Sequence, residues 1–127
     1  GSVAGNGSVT GDLPLKKIEQ LAKDAQLKMQ RNPGLNSDYP TPSTGDWSDH
    51  VPFKKIGVPY VYLEATNWDI PPNDGMGETK KLGEIMHTEN DNLEVINKEF
   101  PGRAKKTLAD FSKLLMAVIE YSDFDVN

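Results

Sequence analysis

The sequence contains no cysteine among its 127 residues, so disulfides, thiolate nucleophiles and cysteine-type zinc sites are all excluded. Histidine is almost as scarce, with His50 and His87 alone. No apolar run approaches the ~20 residues needed to span a bilayer, and no signal-peptide pattern is visible. Basic residues are outnumbered, with Lys+Arg 14 against Asp+Glu 19 and a net charge of −5. An acidic balance argues against nucleic acid, whose phosphates are neutralised by Lys and Arg, and against an anionic membrane surface. Hydrophobic residues make up 36%, below the ~45–50% apolar usage of globular domains, a figure that also counts glycine. The core is therefore small, or completed by something outside this sequence.

What remains is enough for one domain or a piece of a larger one. Residues 1–12 are glycine-rich and read as the frayed end of a strand followed by a turn. Asp12 is a helix cap, and Pro14 is tolerated in a first turn whose N–H groups have no intrahelical partner. Leu15, Ile18, Ala22, Ala25 and Met29 then follow helical spacing, which predicts a helix over 13–31 that Asn32-Pro33-Gly34 stops. Residues 32–47 are a polar, proline-rich loop. A short helix is predicted over 50–56, and a strand over Val58-Pro59-Tyr60-Val61-Tyr62-Leu63. That run is apolar on both faces, as in a strand buried between helix layers. After a second long polar stretch over 64–86, two helical pieces are predicted, Leu93 to Phe100 and then 102–122, divided by Pro101-Gly102. On the last helix Ala104, Leu108, Phe111, Leu115, Val118 and Tyr121 or Ser122 mark one face, which Leu114 and Ile119 widen. Helices around a buried strand predict an α/β layered fold. One clear strand is not a sheet, because its N–H and C=O groups need neighbours.

Several residues admit both a structural and a chemical reading. Each histidine borders an apolar element and stands near carboxylates: Asp46 and Asp49 for His50, Asp91 for His87. A metal-bound imidazole commonly gives its second N–H to such a group. Glu64 is an exposed strand end, or a ligand-facing group at the carboxyl end of a strand. Trp47 and Trp68 either pack their loops against the body or wall a pocket. Ser48-Asp49-His50 is not a hydrolase triad, which needs convergence in space rather than adjacency in sequence. No Gly-x-Ser-x-Gly elbow, His-Glu-x-x-His, phosphate loop or calcium loop is present.

The run from Gly45-Asp46-Trp47-Ser48-Asp49-His50-Val51-Pro52-Phe53 to Gly57-Val58-Pro59-Tyr60 resembles the "SDH-x-PF-x-x-x-G-[IV]-P" segment of metallopeptidase family 28. His87-Thr88-x-x-Asp91-Asn92 resembles its "HT-x-x-D" signature, in the same order. Glu64-Ala65-Thr66-Asn67-Trp68 and Phe100-Pro101-Gly102-Arg103 are similar to the branch of alkaline phosphatase isozyme conversion aminopeptidases. The resemblance covers residues from about 12 to 120. It implies an α/β/α sandwich (phosphorylase/hydrolase-like) with a mostly parallel sheet, of which this chain holds few strands. The implied activity is that of a zinc aminopeptidase with two metal ions, hydrolysing N-terminal peptide bonds with a zinc-activated water and a glutamate base. The setting it favours is secreted or cell-surface.

By the same resemblance His87 is a zinc ligand, Asp91 supports it, and Asp49 and His50 touch substrate or order the site; Glu64 is the further substrate-side candidate. The family's other ligands, a His-x-Asp, a Glu-Glu pair and an Asp, have no counterpart here, since the sequence holds neither of the first two motifs. The expectation is a C-terminal part of one catalytic domain over 1–127, with weak or no zinc binding and no peptidase activity by itself. Its expected partners are a peptide substrate, the missing N-terminal part of the domain, and a second copy through an exposed sheet edge. The alternative is a non-catalytic peptide-binding or structural relative without the metal centre.

Overall fold

The computed structural model describes residues 3–6, 13–38, 46 and 48–121. Along the chain it forms β1 (Val3–Asn6), α1 (Leu13–Asp24), β2 (Met29–Arg31), α2 (Val51–Lys55), β3 (Tyr62–Glu64), α3 (Leu93–Glu99) and α4 (Arg103–Glu120). The three strands make one sheet in the order β2-β1-β3. β1 runs parallel to β2, with Val3 opposite Met29, and antiparallel to β3, with Gly5 opposite Leu63. The architecture is mixed α/β, with the glycine-rich start as the central strand. Asp12, Trp47 and Ser122 lie outside the described residues.

The predicted first helix is too long by about two turns. It ends at Asp24, and Gln26 takes φ +59. The N–H of Leu27 donates to the carbonyl of Ala22 at 2.8 Å and that of Gln26 to Lys23 at 3.0 Å. These two bonds are the Schellman closure of a helix, with glutamine where glycine is the usual residue. The chain turns back at once, and Met29–Arg31, expected as helix, becomes β2. Arg31 returns to α1 through a two-point pair with Glu19, Nε to Oε1 at 2.6 Å and Nη2 to Oε2 at 3.0 Å.

The predicted strand over 58–63 shrinks to Tyr62–Glu64. Pro59 has no N–H to give a ladder. β3 is also not buried between neighbours; it is half-buried and bonded to β1 alone among the described residues. Its alternation still sorts two faces. Val61 and Leu63 pack against the core cluster of Ile18, Ala22 and Leu114. Tyr60 and Tyr62 meet His50 instead, with ring centroids 5.0 and 5.4 Å away.

α1 and α4 form the layer over the first face. Lys17 Nζ donates to the Tyr121 hydroxyl at 3.0 Å and Lys113 Nζ to the Ala25 carbonyl at 2.7 Å, tying both ends of the pair. The face of α4 expected from sequence is rotated. Leu114 is the buried residue, flanked by Phe111 and Val118, while Leu108 and Leu115 are 70% and 60% exposed. The helix is apolar on more than one side, so spacing by itself selects no unique stripe. Leu115, Met116 and Ile119 stay in solvent together with Leu108. Asn92 caps α3 by accepting the Val95 N–H at 2.9 Å. Gly102, at φ +79, divides α3 from α4 as expected.

Candidate functional site

Both signature segments are built as turns. Ser48-Asp49-His50 leads into α2, with the Val51 N–H on the Ser48 carbonyl at 3.1 Å and the Lys54 N–H on His50 at 3.0 Å. His50 is buried against Tyr60 and Tyr62, while Asp49 is exposed. Asp46 accepts from Lys54 Nζ at 2.5 Å, and that bond holds its carboxyl below the usual aspartate value. From His50 the site continues along β3. Ser48 and Glu64 lie near enough to the Tyr62 hydroxyl to influence its proton. Burial, with Glu64's charge adding to it, pushes the Tyr62 hydroxyl up.

Glu64 is the carboxylate of this set whose value burial raises. Desolvation is the main cause; Glu78's charge adds to it, and the Tyr62 hydroxyl opposes it. The folded protein therefore binds this proton more tightly than the unfolded chain. Stability is fullest below the unfolded value near 4.5 and falls as pH rises through the higher folded value. Asp46, Asp69, Glu99 and Asp110, each bonded to a lysine, are lowered and titrate on the acid side. The windows separate, so Glu64→Gln should gain stability over wild type as pH rises above 4.5. Urea unfolding of both proteins across pH 4 to 8 checks this, and parallel profiles would contradict it.

The second signature forms a tight turn from Ile85 to Thr88. The Thr88 N–H and hydroxyl both donate to the Ile85 carbonyl, at 3.0 and 2.6 Å. His87 stands exposed at its tip with φ +64. A left-handed backbone costs a non-glycine residue roughly 1–2 kcal/mol, so neighbours must hold it there. Asp91 Oδ2 accepts the His87 N–H at 3.1 Å; the carboxylate expected to steady the imidazole bonds the main chain. Glu78 Oε2 accepts the N–H groups of Ile85 at 2.5 Å and Met86 at 2.8 Å. Glu78 is a residue that sequence reasoning missed. It carries no motif, and only the fold sets it opposite the turn and within electrostatic reach of Glu64.

His50 thus meets Tyr62 of β3, and the charge of Glu78, which holds the turn bearing His87, is felt at Glu64 where that strand finishes. A cleft of about 430 Å³ opens beside its end, lined by Glu78, Ala65, Thr66 and Asn67 and by Arg103 and Lys106 of α4. Trp68 is buried, its carbonyl accepting Asn73 Nδ2 at 2.6 Å, which is the packing role of its two readings.

The profile of peptidase family M28 matches residues 7–112. This chain belongs to that family. It is a metallopeptidase-type hydrolase family. The chain is also similar to the alkaline phosphatase isozyme conversion protein of Escherichia coli (strain K12). They are 30% identical over 117 residues, 81% of this chain and 34% of the relative. The chain thus spans about one third of that curated relative's length. No solved structure matches.

Family membership raises the question of zinc. Among the described residues no group of three or more His, Asp or Glu side chains could hold a metal ion. A catalytic zinc takes about three protein ligands. The donor set described for this M28 chain therefore does not fit a zinc site by itself.

Proposed function

We propose that this chain is the C-terminal part of a zinc aminopeptidase catalytic domain, of the α/β/α sandwich type, that removes N-terminal residues from peptides. The observation that supports this reading is the M28 match over residues 7–112, which spans both signature segments. Asp49, His50 and Glu64 would form a wall facing the peptide, and His87 would be this chain's metal ligand, its turn steadied by Asp91. The remaining ligands and the base would come from a further segment of the same domain.

The apolar surface left open favours such a segment. Leu108, Leu115, Met116 and Ile119 of α4, with Phe53 and Ile56 around α2, are exposed. Their number suits a chain that packs against more sheet and helix than it contains. β3 bonds to one neighbour among the described residues, so its free edge could instead take a second copy. Peptide is the proposed substrate; a secreted or cell-surface setting remains part of the proposal.

Zinc titration by calorimetry tests the reading. This chain should show no binding tighter than micromolar. The same chain extended upstream to the relative's length should bind at least that tightly, about −8 kcal/mol or better, with peptidase activity. His87→Ala in the extended protein should abolish both. Undiminished zinc affinity in that variant would remove His87 from the ligand set.

A further inference from the structure

We propose that Glu78 is a positioning residue that sets the direction in which His87 is presented. The inference rests on the reading of His87 as the functional ligand and deepens it. A small reversal brings Glu78 into place. The Thr79 N–H donates to the Gly83 carbonyl at 2.9 Å and the Gly83 N–H to Thr79 at 3.0 Å. Thr79 is buried, and its hydroxyl both donates to the Gly83 carbonyl at 3.1 Å and accepts from the Leu82 N–H at 2.9 Å. The chain doubles back, and the carboxylate preceding the reversal reaches the strand of residues leaving it.

There Glu78 Oε2 takes two successive amide protons, from Ile85 and Met86, at 2.5 and 2.8 Å. The next amide, that of His87, goes to Asp91 Oδ2 at 3.1 Å. Three consecutive N–H groups are thus satisfied by two carboxylates from opposite sides of the turn. Charged acceptors make stronger bonds to amides than neutral ones. One end of the turn is fixed, because Ile85 is 8% exposed and its carbonyl holds Thr88. The other end is His87, exposed, with φ +64. A left-handed residue persists where its surroundings over-determine it. Asp91 is four residues along the same turn, so it moves with it; Glu78 comes from another segment and is the anchor to the body. Glu78 also lines the cleft that begins past Glu64, so one carboxylate couples the cleft wall to the histidine turn.

Amide exchange and imidazole signals, read by NMR on this metal-free chain, test the proposal. Glu78→Ala should speed exchange of the Ile85 and Met86 amides at least about tenfold and shift the His87 ring resonances. The Val95 amide, capped by Asn92, should be unchanged and reports that the neighbouring fold is intact. Glu78→Gln, which keeps an acceptor oxygen, should recover most of the protection. Exchange changed less than twofold in Glu78→Ala, or His87 ring signals that stay in place, would overturn the assignment. If Glu78→Ala unfolds the chain, Glu78→Asp decides: its carboxylate is one methylene too short to reach both amides, so the Ile85 and Met86 amides should exchange faster and the His87 ring signals should move, and their silence would overturn it. Because no metal is involved, a failed clasp and a failed zinc reading give separate results.

Discussion

Leu114→Ala should lower the unfolding free energy by about 2–5 kcal/mol, the range for truncating a fully buried leucine. Leu114 is 1% exposed and sits where α4 meets α1. Ile18 and Ala22 complete the buried cluster, and Leu21, Leu27, Met29, Val61, Leu63, Phe111 and Val118 pack around it. One side chain thus joins both long helices to the sheet. Native domains are stable by about 5–15 kcal/mol in all, and a core this small has little reserve. A second core to share the loss is not found among the described residues, where the other buried hydrophobics, Leu15, Trp68 and Ile85, stand outside this cluster. The neighbouring Leu115 is 60% exposed, so Leu115→Ala should stay within about 0.5 kcal/mol of wild type. Urea unfolding of the three proteins checks both values. Equal losses at 114 and 115 would mean that the helix is rotated from the orientation described.

Gly75→Ala should cost about 2–5 kcal/mol through two separate effects. A Cβ at this position would lie 2.4 Å from Trp68 Cζ3 and 2.5 Å from Cη2. Trp68 is 5% exposed and its loop is pinned, by Asn73 on its own carbonyl and by the Thr66 hydroxyl on the Gly75 carbonyl at 3.0 Å. The ring cannot swing aside without opening the packing of the loop, a typical overpacking cost of about 1–3 kcal/mol. The backbone adds its own penalty, because Gly75 has φ +81 and alanine resists that region by about 1–2 kcal/mol. Gly83→Ala isolates the second effect. Its φ is +68 and nothing lies within 4 Å of the added Cβ. Thermal or urea unfolding of the two variants should therefore separate them by the steric part, with Gly75→Ala the worse. Indistinguishable variants would show that the indole does not fill the space beside Gly75. The loop concerned runs between Glu64 and Glu78, so this packing also supports the cleft wall.

The legibility of the fold varied by element for physical reasons. α3 and the start of α4 were readable, since Asn92 is a strong cap and Pro101-Gly102 a strong break. The short helix after His50 was readable from its stop, Gly57 at φ +74, whereas its N-cap is His50, without a side-chain cap bond, and not Ser48 or Asp49 as expected. α1 was read too long because glutamine occupies the left-handed closing position, and Gln26 carries no stop signal of its own. Leu27 closes the motif by packing against the Ile18, Ala22 and Leu114 cluster, a burial that outweighs the helical propensity of Gln26 and its neighbours. β3 was read too long because β-branched and aromatic residues mark extended chain, whereas a ladder also needs a partner strand. The face of α4 was read with Phe111 and Val118 rightly inward but with Leu114 at its margin and Leu108 and Leu115 on its axis, since an apolar helix with several wet leucines offers more than one stripe.

The candidate site divides along the same line. Local sequence determined the two signature turns, the family they belong to, and the identity of Asp49, His50, Glu64, His87 and Asp91 as the residues to watch. Those are properties of short segments, fixed by residue types at fixed offsets. The tertiary structure decided which of these groups are joined. It buried His50 against Tyr60 and Tyr62, set Tyr62 near Glu64, and left Asp49 exposed. It also brought in Glu78, which no motif marks, by folding residues 79–83 back on themselves. A hydrogen bond between a carboxylate and amides seven and eight residues away depends on where the chain returns, and chain return is set by packing over the whole domain rather than by the residues that meet.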